Sequence, residues 1–282
     1  MAAHSVPRAR VAMVTGASSG IGRAIACSLG ALGWPVAIGA RRTDRLAQTA
    51  QMLEAAGGRA LALPLDVTRA DSVESFFTAV ERELGPVSVV VSNAAVGRYG
   101  PLDDFSPEEI EREVATKLLG GLYVARRAIR TMRGLDQVCD IVFLTSIAAQ
   151  MPWPLHLPYA AANAGLEHAA RMLKLELEGT GIRVGALRCG ETAGTEFGAG
   201  EAGLARQREA IEFWYRRGLL RHHGMLDPRD VAAAVQAMVT LPAGVQYELL
   251  AAVPVAPRGP QPATFGEFAA GFGLPDAGGD GA

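Results

Sequence analysis

Short, nearly continuous apolar runs alternate along the chain with stretches in which apolar residues recur at helical spacing. Residues 11–14 form the first run; it ends in TGASSGIG, after which Ile21, Ile25, Leu29 and Leu32 recur every three or four positions. That pattern predicts strand, turn and helix. Trp34-Pro35 breaks the helix, and residues 36–40 read as a second strand with no polar face, as buried parallel strands do. Leu46, Ala50 and Leu53 predict a helix closed by Gly57-Gly58. Residues 60–65 predict a strand, and Val73, Phe76, Phe77, Val80 and Leu84 a further helix, with Asp71 and Glu74 as its capping pair. Strands follow at 87–91 and 141–145, separated by a long helix that Ser106-Pro107-Glu108-Glu109 opens. A helix over 159–178, a strand over 182–187, a helix started by Asp227-Pro228-Arg229-Asp230 and a last strand over 245–253 complete the series. Strands alternating with helices imply βαβ units, hence an α/β fold of the Rossmann type: one domain with a doubly wound parallel sheet and helices on both faces.

Two stretches depart from the alternation. Residues 191–223, which hold Phe197, Trp214 and Tyr215, are expected to form a mobile lid over a substrate. Residues 254–282 are rich in Gly, Pro and Ala and are expected to be a loosely ordered tail, with 1–8 as an extension before the domain at 9–253. The length of 282 residues suits one large α/β domain. With 27 basic and 29 acidic residues the formal net charge is −2, so no global field attracts nucleic acid or anionic lipid. Cys27, Cys139 and Cys189 are too few and too scattered for a disulfide framework or a zinc site, and no apolar run approaches the ~20 residues of a membrane helix. A protein of the reducing cytoplasm, without membrane, metal or nucleic-acid partner, is expected.

Chemistry enters with the first turn. Gly16, Gly20 and Gly22 sit where the first strand meets the first helix, which lets backbone amides approach a pyrophosphate at a helix N-terminus. At the end of the second strand a carboxylate would accept from an adenosine ribose. Here the segment is Ala40-Arg41-Arg42, and arginine suits a 2′-phosphate, although a solvated basic turn reads the same way.

With these residues in view, the chain resembles the classical short-chain dehydrogenase/reductase family from about residue 9 to residue 253. TGASSGIG is similar to that family's cofactor fingerprint, which implies NADP(H) contacts from Gly16, Ser18, Ser19, Gly20, Ile21 and Gly22, with Arg41 and Arg42 on the phosphate. The resemblance implies an adenine contact from Asp66 and Val67 in LDVT. It makes Asn93, beside Ala94, a brace of the central sheet. Cys189-Gly190 stands where the family has Pro-Gly and loosens that turn; Thr192 and Thr195 after it resemble contacts to the nicotinamide amide and to phosphate. A homodimer or homotetramer, formed through the helices near 107–133 and 159–178, is implied as well.

The reacting atoms of an open α/β sheet lie beyond the C-terminal strand ends. Ser146 directly follows the fifth strand and Tyr159 comes thirteen residues later, the spacing of the family's substrate-orienting serine and proton-transferring tyrosine. The family continues Tyr-x-x-x-Lys; this chain continues Tyr159-Ala160-Ala161-Ala162-Asn163. An unperturbed tyrosine has a pKa of about 10, so a cation must assist at neutral pH. At ~4 Å and an effective dielectric near 20 an ammonium contributes about 4 kcal/mol. Aligning Gly120 with the family's Val-Asn-Leu-x-Gly segment puts Lys117 on the asparagine position, as though lysine and asparagine had exchanged places, with Asn163 left to bind the nicotinamide ribose. Ile110, Val114, Lys117 and Gly121 share one helical stripe, which predicts an inward Lys117; a surface ion pair with Glu113 is the alternative.

Trp153, His156 and Leu157, between Ser146 and Tyr159, and the aromatics of the lid imply a largely apolar small-molecule substrate. Three functions are compatible with these residues: NADPH-dependent interconversion of a carbonyl and an alcohol, a non-redox cyclase or isomerase using Ser146 and Tyr159 for acid-base work, and a nucleotide sensor. Fold alone does not choose among them.

Overall fold

The computed structural model describes residues 10–197, 201–260 and 262–274. The expected extension at 1–8, the end of the tail and part of the lid lie outside the described residues. Seven parallel strands form one sheet in the order β3-β2-β1-β4-β5-β6-β7. They are β1 (Val11–Thr15), β2 (Pro35–Ala40), β3 (Arg59–Pro64), β4 (Val87–Ser92), β5 (Cys139–Ser146), β6 (Ile182–Cys189) and β7 (Leu249–Ala252). The order reverses between β1 and β4, and a crevice opens there beyond the strand ends.

Both faces of the sheet are covered, which is why the central strands carry no polar alternation. On one face α1 (Gly20–Gly30), α2 (Thr43–Ala55) and α8 (Pro228–Val239) bury Ile25, Leu29, Leu46, Leu53 and Val235 against β1, β2 and β4. On the other, α3 (Ala70–Leu84), α5 (Gly120–Met132) and α6 (Leu157–Glu176) bury Phe76, Phe77, Val124 and Leu166. At the edge opposite the crevice, the Asp140 carboxylate is held between two buried guanidiniums, Arg10 at 2.6 Å and Arg183 at 2.7 Å. Arg10 donates as well to Val239 O, and Arg183 to Val245 O.

Several local expectations need correction. The N-cap of α3 is Arg69, without a side-chain cap, and Asp71 lies inside the first turn, paired with Arg69; there a carboxylate still favours the helix dipole. The long helix after residue 106 is three segments. Ser106 and Glu109 form a capping box at the start of α4 (Pro107–Val114), a π-turn follows at Ala115–Leu119, and α5 continues from Gly120. The tail, expected to be loose, contains α9 (Phe265–Gly271), opened by a Thr264–Glu267 capping box. Its Phe268 and Ala269 pack with Ala210, Ile211 and Trp214 of α7 (Glu201–Arg216), the helix that occupies the expected lid. The shared apolar surface orders both segments. Among the described residues, no helix is long and apolar enough to cross a membrane.

Candidate active site

The crevice is a cleft of about 810 Å³ beyond the strand ends. Its floor on the β1 side is the glycine turn. Gly16 and Gly20 have φ of 68° and 52°, and a Cβ on Gly22 would lie 2.4 Å from Gly16 O and 2.6 Å from Asn93 Nδ2. Only glycine fits there. Asn93 fastens the turn: its Nδ2 donates to Thr15 O at 2.9 Å and Gly16 O at 3.2 Å, while Thr15 Oγ1 accepts from the backbone N–H groups of Asn93 and Ala94 at 3.0 Å each. Ser18, Ser19, Ile21, Asp66 and Val67 line the same cleft. Asp66 Oδ1 accepts from Thr68 N and Oγ1 at 3.0 and 2.7 Å, so the residue organises its own turn while facing the cleft.

At the end of β2, Arg42 donates to Ser18 Oγ at 2.9 Å and Ser19 Oγ at 3.0 Å and is ion-paired with Glu196, which pairs with Arg45 as well. Arg41 is exposed at the cleft rim. Two guanidiniums and a hydroxyl therefore already converge on one carboxylate. Arg45 and Glu196 were not legible as site residues, since one sits a helical turn into α2 and the other follows Thr195 on the far side of the cleft. Thr192, Thr195 and Gly190 line that far side.

Ser146 ends β5, and its Oγ accepts from Ala148 N at 3.2 Å. Tyr159 is in the first turn of α6, half-buried on the cleft lining, with its side chain close to Ser146. Burial pushes the Tyr159 phenol up to about 12, with the Ser146 hydrogen bond pulling the other way. The serine and tyrosine are thus brought together as the spacing predicts.

Asn163 departs from expectation. It is fully buried beneath Tyr159, is not part of the cleft lining, and donates from Nδ2 to Tyr159 O at 2.8 Å, leaving Oδ1 without a partner. The short amide ends at the carbonyl one turn back. Lys117 does line the cleft, 3% exposed, in the π-turn. The surface pair with Glu113 is not formed. Glu113 is fully buried, accepts from Arg98 N at 2.8 Å through Oε1, and leaves Oε2 unpaired; burial pushes it up to about 7. The buried stripe accordingly contains Glu113, Lys117, Gly120 and Gly121, with Ile110 and Val114 only half-buried. Burial lowers Lys117 to about 8, and its electrostatic neighbour is the Cys189 thiol, which itself acts on Tyr159. Lysine, cysteine and tyrosine all line the cleft.

Around Tyr159 the lining is aromatic. Phe197 meets Tyr159 edge-on at 4.8 Å between ring centres and Tyr99 at 5.3 Å; His156 lies 5.2 Å from Trp214 and 5.8 Å from Tyr159. Trp214 Nε1 donates to Pro154 O at 2.9 Å. Trp214 lines the cleft as expected of the lid, whereas Tyr215 faces α9, 4.6 Å from Phe268.

Known proteins resemble this chain in sequence and fold. Residues 10–202 match the family model described as short chain dehydrogenase. A short chain dehydrogenase of Pseudocercospora fijiensis is 34% identical over 195 residues, which cover 67% of this chain and 62%, less than two thirds, of its own. The 3beta-hydroxysteroid dehydrogenase 1 of Eggerthella lenta is 34% identical over 80% of this chain and 85% of its own. Among solved structures, an alcohol dehydrogenase from the archaeon Thermococcus sibiricus complexed with 5-hydroxy-NADP is 29% identical with a TM-score of 0.74, covering 89% of this chain and 99% of that one. A seven-stranded parallel sheet, a glycine turn beneath its crevice and a serine-tyrosine pair at the end of β5 and the start of α6 thus accompany a family match over most of the domain, and the chain belongs to the short-chain dehydrogenase family.

Proposed function

We propose that the protein is an NADP(H)-dependent oxidoreductase that interconverts a ketone or aldehyde with its alcohol on a largely apolar small molecule. The observation that carries this reading is the placement of Ser146 and Tyr159 together on the lining of a cleft whose other end has a glycine turn and arginines suited to a dinucleotide. The residues present fit that cofactor: a Cβ would fill the cradle at Gly22, and the Arg42 cluster already binds a carboxylate. The turn from Gly16 to Gly22 would hold the pyrophosphate, Arg41 and Arg42 the 2′-phosphate, and Thr192 and Thr195 the nicotinamide end. When bound, the cofactor supplies or accepts the hydride.

The chain's own residues then do the acid-base work. Ser146 orients the carbonyl oxygen by donating to it, and Tyr159 Oη delivers the proton to that oxygen on reduction, or removes it on oxidation. Burial alone leaves Tyr159 too weak an acid for neutral pH. A protonated Lys117 lining the same cleft corrects this, favouring the tyrosinate and lowering the cost of proton transfer. Asn163 is a positioning residue that braces the carbonyl of Tyr159.

The relative complexed with 5-hydroxy-NADP supports the choice of dinucleotide. A cytoplasmic location agrees with three free cysteines. Assembly into a homodimer or homotetramer agrees with Leu119, Leu157, Met172 and Leu175, exposed on the π-turn and α6. A second reading, a cyclase or isomerase that does not consume NADPH, is favoured by one observation: α6 carries no cation one turn after Tyr159.

The test follows nicotinamide absorbance while apolar ketones and aldehydes are offered with NADPH, for the wild type and Tyr159→Phe. Consumption in the first and its loss in the second are expected. NADPH that binds but is never oxidised would overturn the reading in favour of the non-redox one. Arg42→Ala should weaken NADPH and leave NADH unchanged.

A further inference from the structure

The segment after β6 touches both ends of the cleft through two adjacent residues. Its root is fixed: Ala193 N donates to Leu226 O at 2.9 Å, and Leu226 N to Glu191 O at 2.8 Å. Gly194, with φ of 64° and open space where a Cβ would stand, turns the chain away from that root. Thr195, Glu196 and Phe197 then form a short arm on the lining of the cleft.

The arm is held at two points. On the nucleotide side the Glu196 carboxylate is ion-paired with Arg42 and Arg45 and accepts from Ser19 Oγ at 3.2 Å. On the catalytic side the Phe197 ring lies edge-on to Tyr159 and Tyr99. It is seated in a notch that only glycine leaves open, since a Cβ on Gly97 would lie 2.3 Å from the ring. Consecutive Cα atoms are about 3.8 Å apart, so what frees Glu196 also loosens Phe197. The donors around Glu196 suit a phosphate better than the group they hold. Two guanidiniums and a hydroxyl meet one charge and two oxygens there, whereas a phosphate monoester presents about −1.5 to −2 charges and three oxygens.

Building on the reading of this cleft as an NADP(H) site with Tyr159 as its proton donor, we propose that Glu196 is a specificity-determining residue that couples the two ends. The 2′-phosphate takes Arg42 and Arg45 from Glu196, and the freed arm withdraws Phe197 from Tyr159, opening the way for a carbonyl substrate. NADH brings no phosphate to those arginines and leaves the arm in place. A ligand shifts such an equilibrium only by its differential interaction with the two states, which here is the 2′-phosphate alone. The choice between dinucleotides then lies in turnover as well as in affinity.

The first readout needs no turnover. In protein labelled with 4-fluorophenylalanine, the fluorine resonance of Phe197 is assigned by its loss in Phe197→Leu. It is followed on titration with adenosine 2′,5′-bisphosphate, which carries the 2′-phosphate but no nicotinamide, and with 5′-AMP. The bisphosphate should move the resonance and 5′-AMP should not. In Glu196→Gln it should stand near its moved position without nucleotide, and the bisphosphate should add little. The same variant should turn over with NADH about three- to fivefold faster than the wild type, the factor that half-exposed ion pairs are worth, narrowing the kcat gap between the two dinucleotides. A bisphosphate that binds without moving the resonance, equal responses to the two nucleotides, or an undiminished response in Glu196→Gln would each overturn the proposal. A Phe197 that moves in a protein that never oxidises NADPH would leave it standing and sink the hydride-transfer reading; NADPH oxidation with Phe197 motionless would do the reverse.

Discussion

The nucleotide side of the cleft and its catalytic side obey different rules for polar groups. From β1 to the end of β4 the described residues leave one buried side-chain atom unpaired, Ser88 Oγ, and it is not at the cleft. From residue 98 onward the orphans gather: Arg98, Glu113, Trp153, His156, Asn163, Glu191 and His223 each leave one or more buried atoms without a partner. One side is built from backbone and glycine, close in sequence and fully satisfied. The other collects side chains from α4, the loop before α6, α6 itself and the segment after β6 and keeps them short of partners. The contrast teaches where the fold stores stability and where it gives some up for chemistry.

The sharpest break of this comparison is Asp140→Ala, which leaves Arg10 and Arg183 buried without their carboxylate. A loss of about 3–5 kcal/mol is expected from denaturant titration, since removing one member of a buried pair strands the others. NADPH affinity should not change; if it does, the ion cluster and the cleft are not independent.

Lys117→Met should do the opposite. Activity should fall by roughly 10²–10⁴-fold, the range for a lost acid-base contribution, while the fold gains roughly 1–3 kcal/mol by shedding a buried, unpaired charge. The sign follows from its lowered pKa. Between about 8 and the ordinary 10.5 the unfolded chain holds the proton more tightly, so wild-type stability rises with pH across that window and the variant's does not. Residual turnover should move alkaline as Tyr159 loses its cation. Full turnover with an unchanged pH profile would reduce Lys117 to a structural residue.

Much of this is legible in the sequence itself. The alternation of runs and helical stripes, the glycine turn and the Ser146–Tyr159 spacing depend on local pattern, which sequence carries directly. What was missed depends on partners far along the chain. Glu113 is buried because Arg98 N reaches it from a preceding loop, and Glu196 matters because α2 brings Arg45 beside Arg42. Asn163 turns back to its own helix, a choice its residue type permits but does not announce. Helix α9 had a signal in the Thr-x-x-Glu cap at 264–267, hidden by the surrounding glycine and proline.

Glu113→Gln tests whether the catalytic side's orphans are costly in the folded state. Its pKa is raised to about 7, so its stabilising contribution is complete below the ordinary 4.5 and is lost as pH rises through about 7. The glutamine keeps an acceptor for Arg98 N, and at pH 8 it should raise stability by about 1–2 kcal/mol in thermal melts, with no gain at pH 4. The smallest effect is expected at Glu196, whose pairs with Arg42 and Arg45 are half-exposed. Glu196→Gln should tighten NADPH by about two- to fivefold, as a carboxylate that competes for the same guanidiniums is removed; NADH should be unaffected. Weaker NADPH binding would make Glu196 an anchor instead.

The π-turn at Ala115–Leu119 carries a consequence for the length of the chain as well as its chemistry. Such a turn holds one residue more than the α-turn it replaces, so the segments on either side are rotated by about 100° relative to an uninterrupted helix. Lys117 sits inside that offset. Deleting a single alanine at 115 would let the helix close into a regular spiral and swing everything before it, the Glu113 carboxylate included, to a different bearing without altering the chemistry of any remaining side chain. In this protein an insertion of one residue, and not only the identity of the residue inserted, sets which groups look into the cleft.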